Sequence, residues 1–382
     1  MNRIRVLHIL PSLKAGGAER QILTLLPLLP NSEIDVGVLA VYASRLADAE
    51  RTQLGCPVIE VGRRRRSDYS FPFRLIRQIK GFAPQIVHTH THVGKYWGRM
   101  AARAAGVPII LHTAHNPCDP RRNPLERLLD PLLYASTSRV ITFLEDQRAT
   151  LARLDGFPPE KIAIIPNGIL PRKAPAREER LSARRSLGVS DDAFVILVVG
   201  RLEQVKNQRL ALDALAALPE QARVRIRLFV LGSGSQETAL RDLAHERALR
   251  EHVAFLGHRT DVADLLPGGD LMLMTSLYEG MPLVLIEAMF AGVPILTTPW
   301  TGARSMLVAG SCGYLAEGWN PQQLAAALER ALRDPRERLA VAERARLHAA
   351  DQYDIQKMAE AHRTLYLELA GARSLPSMAA AS

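Results

Sequence analysis

Cysteine is scarce in this chain. Cys56, Cys118 and Cys312 stand far apart, form no CxxC pair and are odd in number, so neither a disulfide framework nor a thiolate zinc site is expected. Their scatter suits a reducing, cytoplasmic setting. No run of about eighteen apolar residues occurs, so no membrane-spanning helix is expected. The short apolar stretch in the N-terminal MNRIRVLHILPS is too brief for the core of a signal peptide. There is no solenoid period, and no nucleic-acid recognition motif accompanies the positive charge, so nucleic acid is not an expected partner.

What the chain has is alternation. At 382 residues it is too long for one ordinary core, and two domains are expected. Strand-like runs at 4–10, 34–40, 58–61, 86–89, 109–112 and 140–143 alternate with helical patterns, the signature of a doubly wound parallel α/β sheet. Pro166-Asn167-Gly168, followed by PRKAPAREER, breaks the pattern and reads as a linker. A second set of strands begins at 194–200 and continues at 224–231, 253–256, 270–274 and 293–296. The expected organisation is a first domain over 1–168, a second over 169–352, a C-terminal helix over 353–370 and a disordered tail over 371–382.

The most informative stretch is TSLYEGMPLVLIEAMFAGVPILTTPWTG, residues 275–302. It reads as strand end, polar loop, helix, strand and turn, a βαβ unit whose ligand crevice lies at the carboxyl ends of the strands. Glu279 sits in the loop and Glu287 eight residues later, near the start of the helix. Gly280 permits close backbone approach and Pro282 fixes the loop, so the amides around Met281, Pro282 and Leu283 present a helix N-terminus suited to an anion. On spacing alone the two acids are equally compatible with a solvated loop residue and an ordinary first-turn acid. Three further places have the same double reading. GRLEQVKN, 200–207, puts Arg201 and Lys206 after an apolar strand, either as surface cations or as a clamp for a pyrophosphate. Gly16 and Gly17 lie between the first strand and its helix, as a tight turn or a phosphate-facing loop. VHTHTH places His88, His90 and His92 at period two on one face of an extended strand; no carboxylate or thiol shares the spacing, so no metal is assigned.

The 275–302 string, with Glu279-Gly280-x-Pro282, Glu287-Ala288-Met289 and Gly292-Val293-Pro294 in order, resembles the E-x7-E segment of retaining glycosyltransferases of family 4, which have the GT-B fold. GGAE at the first loop, HTH…GR…HTAHN in the first half, Pro-Asn-Gly at 166–168 and GRL…KN extend the resemblance over about residues 4–370. The resemblance implies two Rossmann-like domains facing a cleft, with a last helix returning to the first domain. It implies transfer of a hexose or N-acetylhexosamine from a UDP- or GDP-linked donor, with retention, to a glycan or polyprenyl-linked acceptor in cell-surface polysaccharide assembly. No cofactor and no required metal are implied. Arg201 and Lys206 then bind the diphosphate, Glu287 the ribose, and Glu279 and His115 the transferred sugar. Gly16 and Gly17 line the diphosphate and acceptor side, while Gly257, His258 and Arg259 offer backbone contacts to the base. Asn116 stands where many relatives have glycine, which leaves the acceptor side open. A nucleotide-sugar epimerase of the same fold and a non-catalytic sugar-nucleotide binding protein are the alternatives.

Charge is unevenly placed. Residues 1–170 hold 23 Lys and Arg against 14 Asp and Glu, whereas residues 171–382 hold 26 against 25. Much of the excess lies in the arginines at 63–66 and in FPFRLIRQIKGF, where Arg74, Arg77 and Lys80 are spaced by three among Phe71, Phe73, Leu75, Ile76, Ile79 and Phe82. This segment reads as a solvated basic face over a core helix, or as a docking face for an anionic membrane surface, with the protein peripheral at the inner face of the cytoplasmic membrane.

Overall fold

The computed structural model describes residues 3–13, 16–44, 47–63, 65, 67–116 and 124–374. The chain divides into two compact units, Met1–Ile169 with Ile355–Ser382, and Leu170–Asp354. The first unit holds a seven-stranded parallel sheet of β1 (Ile4–Leu10), β2 (Ile34–Ala40), β3 (Val58–Glu60), β4 (Ile86–His90), β5 (Ile109–Thr113), β6 (Arg139–Thr142) and β7 (Ile162–Ile164), in the order β3-β2-β1-β4-β5-β6-β7. Successive side chains of a strand point to opposite faces, so each strand serves two helix layers. Val6 and Leu10 pack with Ile22, Leu25, Met358 and Tyr366, while Leu7 and Ile9 pack with Phe71, Leu75 and Ile79.

The second unit holds β8 (Phe194–Val199), β9 (Ile226–Leu231), β10 (Val253–Gly257), β11 (Leu271–Met274), β12 (Ile295–Thr297) and β13 (Tyr314–Leu315), ordered β10-β9-β8-β11-β12-β13 and all parallel. In both sheets the winding reverses beside the first strand, between β1 and β4 and between β8 and β11. Loops that leave those two strands diverge, and the crevice between them is where doubly wound sheets receive ligands.

Several boundaries differ from expectation. Helix Arg177–Leu187 takes in the end of the stretch read as a linker, because Glu179 caps the Ala176 amide and Leu187 is buried. β7 and β13, three and two residues long, show no sequence periodicity of their own. The C-terminal helix Ile355–Ser374 runs past the expected start of the tail; residues 375–382 lie outside the described residues. Among the described residues no helix is long and apolar enough to cross a membrane.

Candidate functional site

In the second unit the sequence candidates gather on the loops at the carboxyl edge of the sheet. β8 ends at Val199 and the chain turns through Gly200 and Arg201 to a short helical turn, Gln204–Lys206. β11 ends at Met274 and leads through Thr275 and Ser276 to Glu279. Leu277 N–H donates to the Val205 carbonyl at 2.9 Å and the Thr275 hydroxyl to the Lys206 carbonyl at 3.0 Å, so the loops on either side of the switch point are bonded to each other. Across that seam Lys206 Nζ meets Glu279 Oε1 at 2.6 Å, and Ser276 Oγ donates to the same oxygen at 2.5 Å. Glu279 is only 7% exposed. Burying a carboxylate this far is costly unless donors such as these pair with it. Both bonds end on Oε1, and among the described residues none ends on Oε2.

The neighbouring loops close around this pair. Gly232 has φ of +149°, and a Cβ there would fall 1.9 Å from the Gly200 carbonyl oxygen, a contact that only glycine allows. Gly232 N–H donates to the Gly257 carbonyl at 2.7 Å and Leu202 N–H to the Ser233 carbonyl at 2.9 Å, which ties together the loops after β8, β9 and β10. At the β10 turn the guanidinium of Arg259 forks onto Asp261 at 2.8 and 2.5 Å, and this pairing raises its pKa. Arg201 is exposed, and its carbonyl accepts from Gln208 Nε2 at 2.9 Å.

Helix Leu283–Phe290 begins after Pro282 with no side-chain cap. Gly280, Met281 and Pro282 are buried and Leu283 is half-buried. Glu287 is the fifth residue of the helix, half-buried in the second turn, so the first-turn dipole reading does not apply to it. Ser276 was not among the residues singled out by sequence; a loop serine carries no signal until its partner is known.

The remaining candidates belong to the first unit. Gly16 precedes helix Gly17–Leu25, and the Glu19 carboxylate folds back over Gly16. This turn therefore presents an acid, which suits a hydroxyl better than a phosphate. His115 is half-buried just beyond β5, with Nε2 3.3 Å from His90 Nδ1. Burial first, and then His362, lower its pKa to about 4, so at neutral pH it is an uncharged ring with one donor and one acceptor.

The period-two expectation for the histidines is corrected. β4 ends at His90, and Thr91, with φ of +58°, turns the chain into a helical segment that leaves His92 exposed. The third ring beside His88 and His90 is His8 of β1, which is paired in register with His88. The basic segment is also changed. Arg63 stacks on Phe71 and Trp97, 4.7 and 5.5 Å from the ring centres, and Arg74 forks onto Asp68 at 2.7 and 3.1 Å. Phe71, Leu75, Ile79 and Phe82 are core, whereas Arg65, Arg77, Lys80 and Phe73 are exposed. Arg64 and Arg66 lie outside the described residues.

Comparison with known proteins gives two family matches. The model described as "Glycosyltransferase Family 4" matches residues 15–172 and that described as "Glycosyl transferases group 1" matches residues 179–348. The UDP-Gal:alpha-D-GlcNAc-diphosphoundecaprenol alpha-1,3-galactosyltransferase of Escherichia coli is 27% identical over 327 residues, 83% of this chain and 84% of its own. The lipopolysaccharide glucosyltransferase WaaG of Escherichia coli K12 is 34% identical over 206 residues, 53% of this chain and 54% of its own. Among solved structures, Anabaena HepE in complex with UDP and glucose superposes with a TM-score of 0.81 at 21% identity, covering 97% of this chain and 100% of that one.

Proposed function

The protein belongs to glycosyltransferase family 4 and has its GT-B fold, and from that premise we propose that it transfers a hexose or N-acetylhexosamine, with retention, from a UDP-linked donor to a lipid-linked glycan. The observation that carries this reading is the Lys206–Glu279 pair astride the β8/β11 switch point, with the exposed Arg201 on the same loop as Lys206. A diphosphate leaving group gains negative charge as the sugar–phosphate bond breaks, and two cations on one loop are suited to stabilise that charge. Glu279 then accepts from hydroxyls of the transferred sugar, Glu287 from the ribose, and the Gly257–Arg259 backbone meets the base. UDP is preferred to GDP because UDP occurs in the names of both the galactosyltransferase relative and the HepE complex. The lipid-linked acceptor is carried over from that same relative, in a role in cell-surface polysaccharide assembly. The donor is assigned to the second domain and the acceptor to the first, where His115 is a neutral partner for a hydroxyl. No carboxylate is identified as a nucleophile, so the departing phosphate is the group proposed to take the acceptor proton.

The test is incubation with UDP- and GDP-linked hexoses, with and without a polyprenyl-diphosphate sugar acceptor, and with EDTA in a parallel arm. Acceptor-dependent release of UDP, a product with the donor's anomeric configuration, and retained turnover in EDTA are expected. Sugar interconversion without acceptor would point to an epimerase, and tight UDP-sugar binding without turnover to a binding protein.

A further inference from the structure

Five buried groups of the first unit and the half-buried His115 form one continuous hydrogen-bonded chain. His115 Nε2 meets His90 Nδ1 at 3.3 Å, and His90 Nε2 meets His8 Nδ1 at 3.0 Å. His8 Nε2 meets the Tyr366 hydroxyl at 3.3 Å, the same hydroxyl meets His88 Nδ1 at 2.7 Å, and His88 Nε2 meets Thr113 Oγ1 at 2.7 Å. The chain thus runs from the loop after β5 through β4 and β1 to the C-terminal helix, then back through β4 to β5. Ligand atoms of His8, His88 and His90 lie within 4.8 Å of one another, close enough to share a transition metal. Every ring nitrogen of the three already has a protein partner, however, and a metal would have to break that chain.

A neutral imidazole has one N–H and one bare nitrogen, so each link dictates the next. Only two arrangements satisfy all five links and also give the Tyr366 proton an acceptor, because a Tyr366 hydroxyl that accepted from both His8 and His88 would leave its own proton unpaired among the described residues. In one, every histidine is protonated on Nε2 and His88 donates to Thr113. In the other, every histidine is protonated on Nδ1 and Thr113 donates to His88. Thr113 is 3% exposed, and among the described residues His88 is the only hydrogen-bond partner of its hydroxyl. If His88 donated, the buried Thr113 proton would have no acceptor among the described residues, a loss of the kind folded proteins avoid.

We infer that this chain is a positioning network that holds His115 as its Nδ1–H tautomer, with the direction set by Thr113 and relayed through Tyr366 of the C-terminal helix. His115 Nε2 is then occupied as acceptor from His90, and Nδ1–H is its donor toward an oxygen such as a sugar hydroxyl. That last assignment rests on the proposed glycosyl transfer; the tautomer itself does not.

The experiment is 15N NMR of imidazole nitrogens in the full-length, histidine-labelled protein at pH 7.5 without substrate, the His115 signal being assigned by its loss in His115→Gln. In the wild type a protonated Nδ1 and a bare Nε2 are expected on His115. Thr113→Val removes the hydroxyl that sets the direction, and Tyr366→Phe cuts the relay. Both should move His115 toward Nε2–H, the form that imidazole side chains favour in water, whereas Thr113→Ser should retain the wild-type tautomer. A wild-type His115 protonated on Nε2 overturns the inference without any variant. An Nδ1–H signal unchanged in folded Thr113→Val and Tyr366→Phe overturns the relay. A correct tautomer in a protein that transfers no sugar would leave the network standing and sink the activity instead.

Discussion

Glu279 is an acid almost without water, hydrogen-bonded to Lys206 and Ser276. On sequence alone Lys206 reads as a solvent-facing cation whose loss would leave stability untouched; its bond to a buried carboxylate changes that expectation. Lys206→Ala should destabilise the second unit by about 1.5–3 kcal/mol, the usual scale for a hydrogen bond to a charged group. Glu279→Gln should recover part of that loss in the double variant, since the two residues form one interaction. Urea unfolding of the four proteins of this cycle checks it, and strict additivity would mean that the pair is not coupled. For ligand binding the two acids should separate. Glu287→Gln is expected to weaken bare UDP by roughly tenfold, the worth of about one hydrogen bond. Glu279→Gln is expected to leave UDP affinity within about threefold, about 0.65 kcal/mol, while cutting turnover. Calorimetry with UDP decides it; equal losses would refute the division of labour.

At the scale of elements, the first sheet is unusual in what it buries. Strands β1, β4 and β5 and the C-terminal helix bring His8, His88, His90, His112 and His362 out of water, with His115 beside them. Burial is the main cause in each case, and it lowers the pKa of His8 to about 3, of His362 and His115 to about 4, and of the others well below the usual value. Because the folded-state values are depressed, the unfolded chain binds more protons below pH 6.5. Stability is therefore full above about 6.5 and falls as pH drops through the window from about 6.5 toward 4. Each such histidine contributes a slope of at most about 1.4 kcal/mol per pH unit there. Calorimetric melting of the first unit should drop steeply between pH 7 and 5.5, and His362→Gln should flatten the dependence. A midpoint independent of pH in that range would show that these rings are not held neutral.

At the scale of the whole molecule, the positive charge concentrated in residues 1–170 still calls for a partner. Two of the expected membrane-facing cations are engaged, Arg63 with Phe71 and Trp97 and Arg74 with Asp68. What faces water is Arg65, Arg77 and Lys80, together with Phe73 at 76% and Tyr69 at 86% exposure. Cations beside exposed aromatic rings match the interface of an anionic bilayer, and three of them are worth about 3 kcal/mol, roughly a hundredfold in partitioning before salt screens it. Sedimentation with anionic vesicles should show binding that falls in high salt, falls with neutral lipid, and is reduced by changing Arg65, Arg77 and Lys80 to Ser. Binding indifferent to both salt and the triple change would make this surface a solvated face only.

The sequence by itself determined the two doubly wound sheets, because apolar runs such as 194–199 and 271–274 are long enough to be strands covered on both faces. It also determined that Arg201, Lys206 and Glu279 lie on the segments that follow strands, since apolar runs precede them; Gly257 is instead the last residue of β10. The short strands β7 and β13 stayed hidden, as three and two residues carry no period. So did the start of helix Arg177–Leu187 within a charged, proline-rich stretch. Only the tertiary structure decided who meets whom. Glu279 finds Lys206 because β11 lies beside β8, 73 residues away in sequence. His8 replaces His92 beside His88 because β1 pairs with β4, and Tyr366 joins them because the last helix packs on the first sheet. Parallel neighbours are joined by long crossovers, so residues that share a site are separated by distances over which local propensity and spacing have no reach.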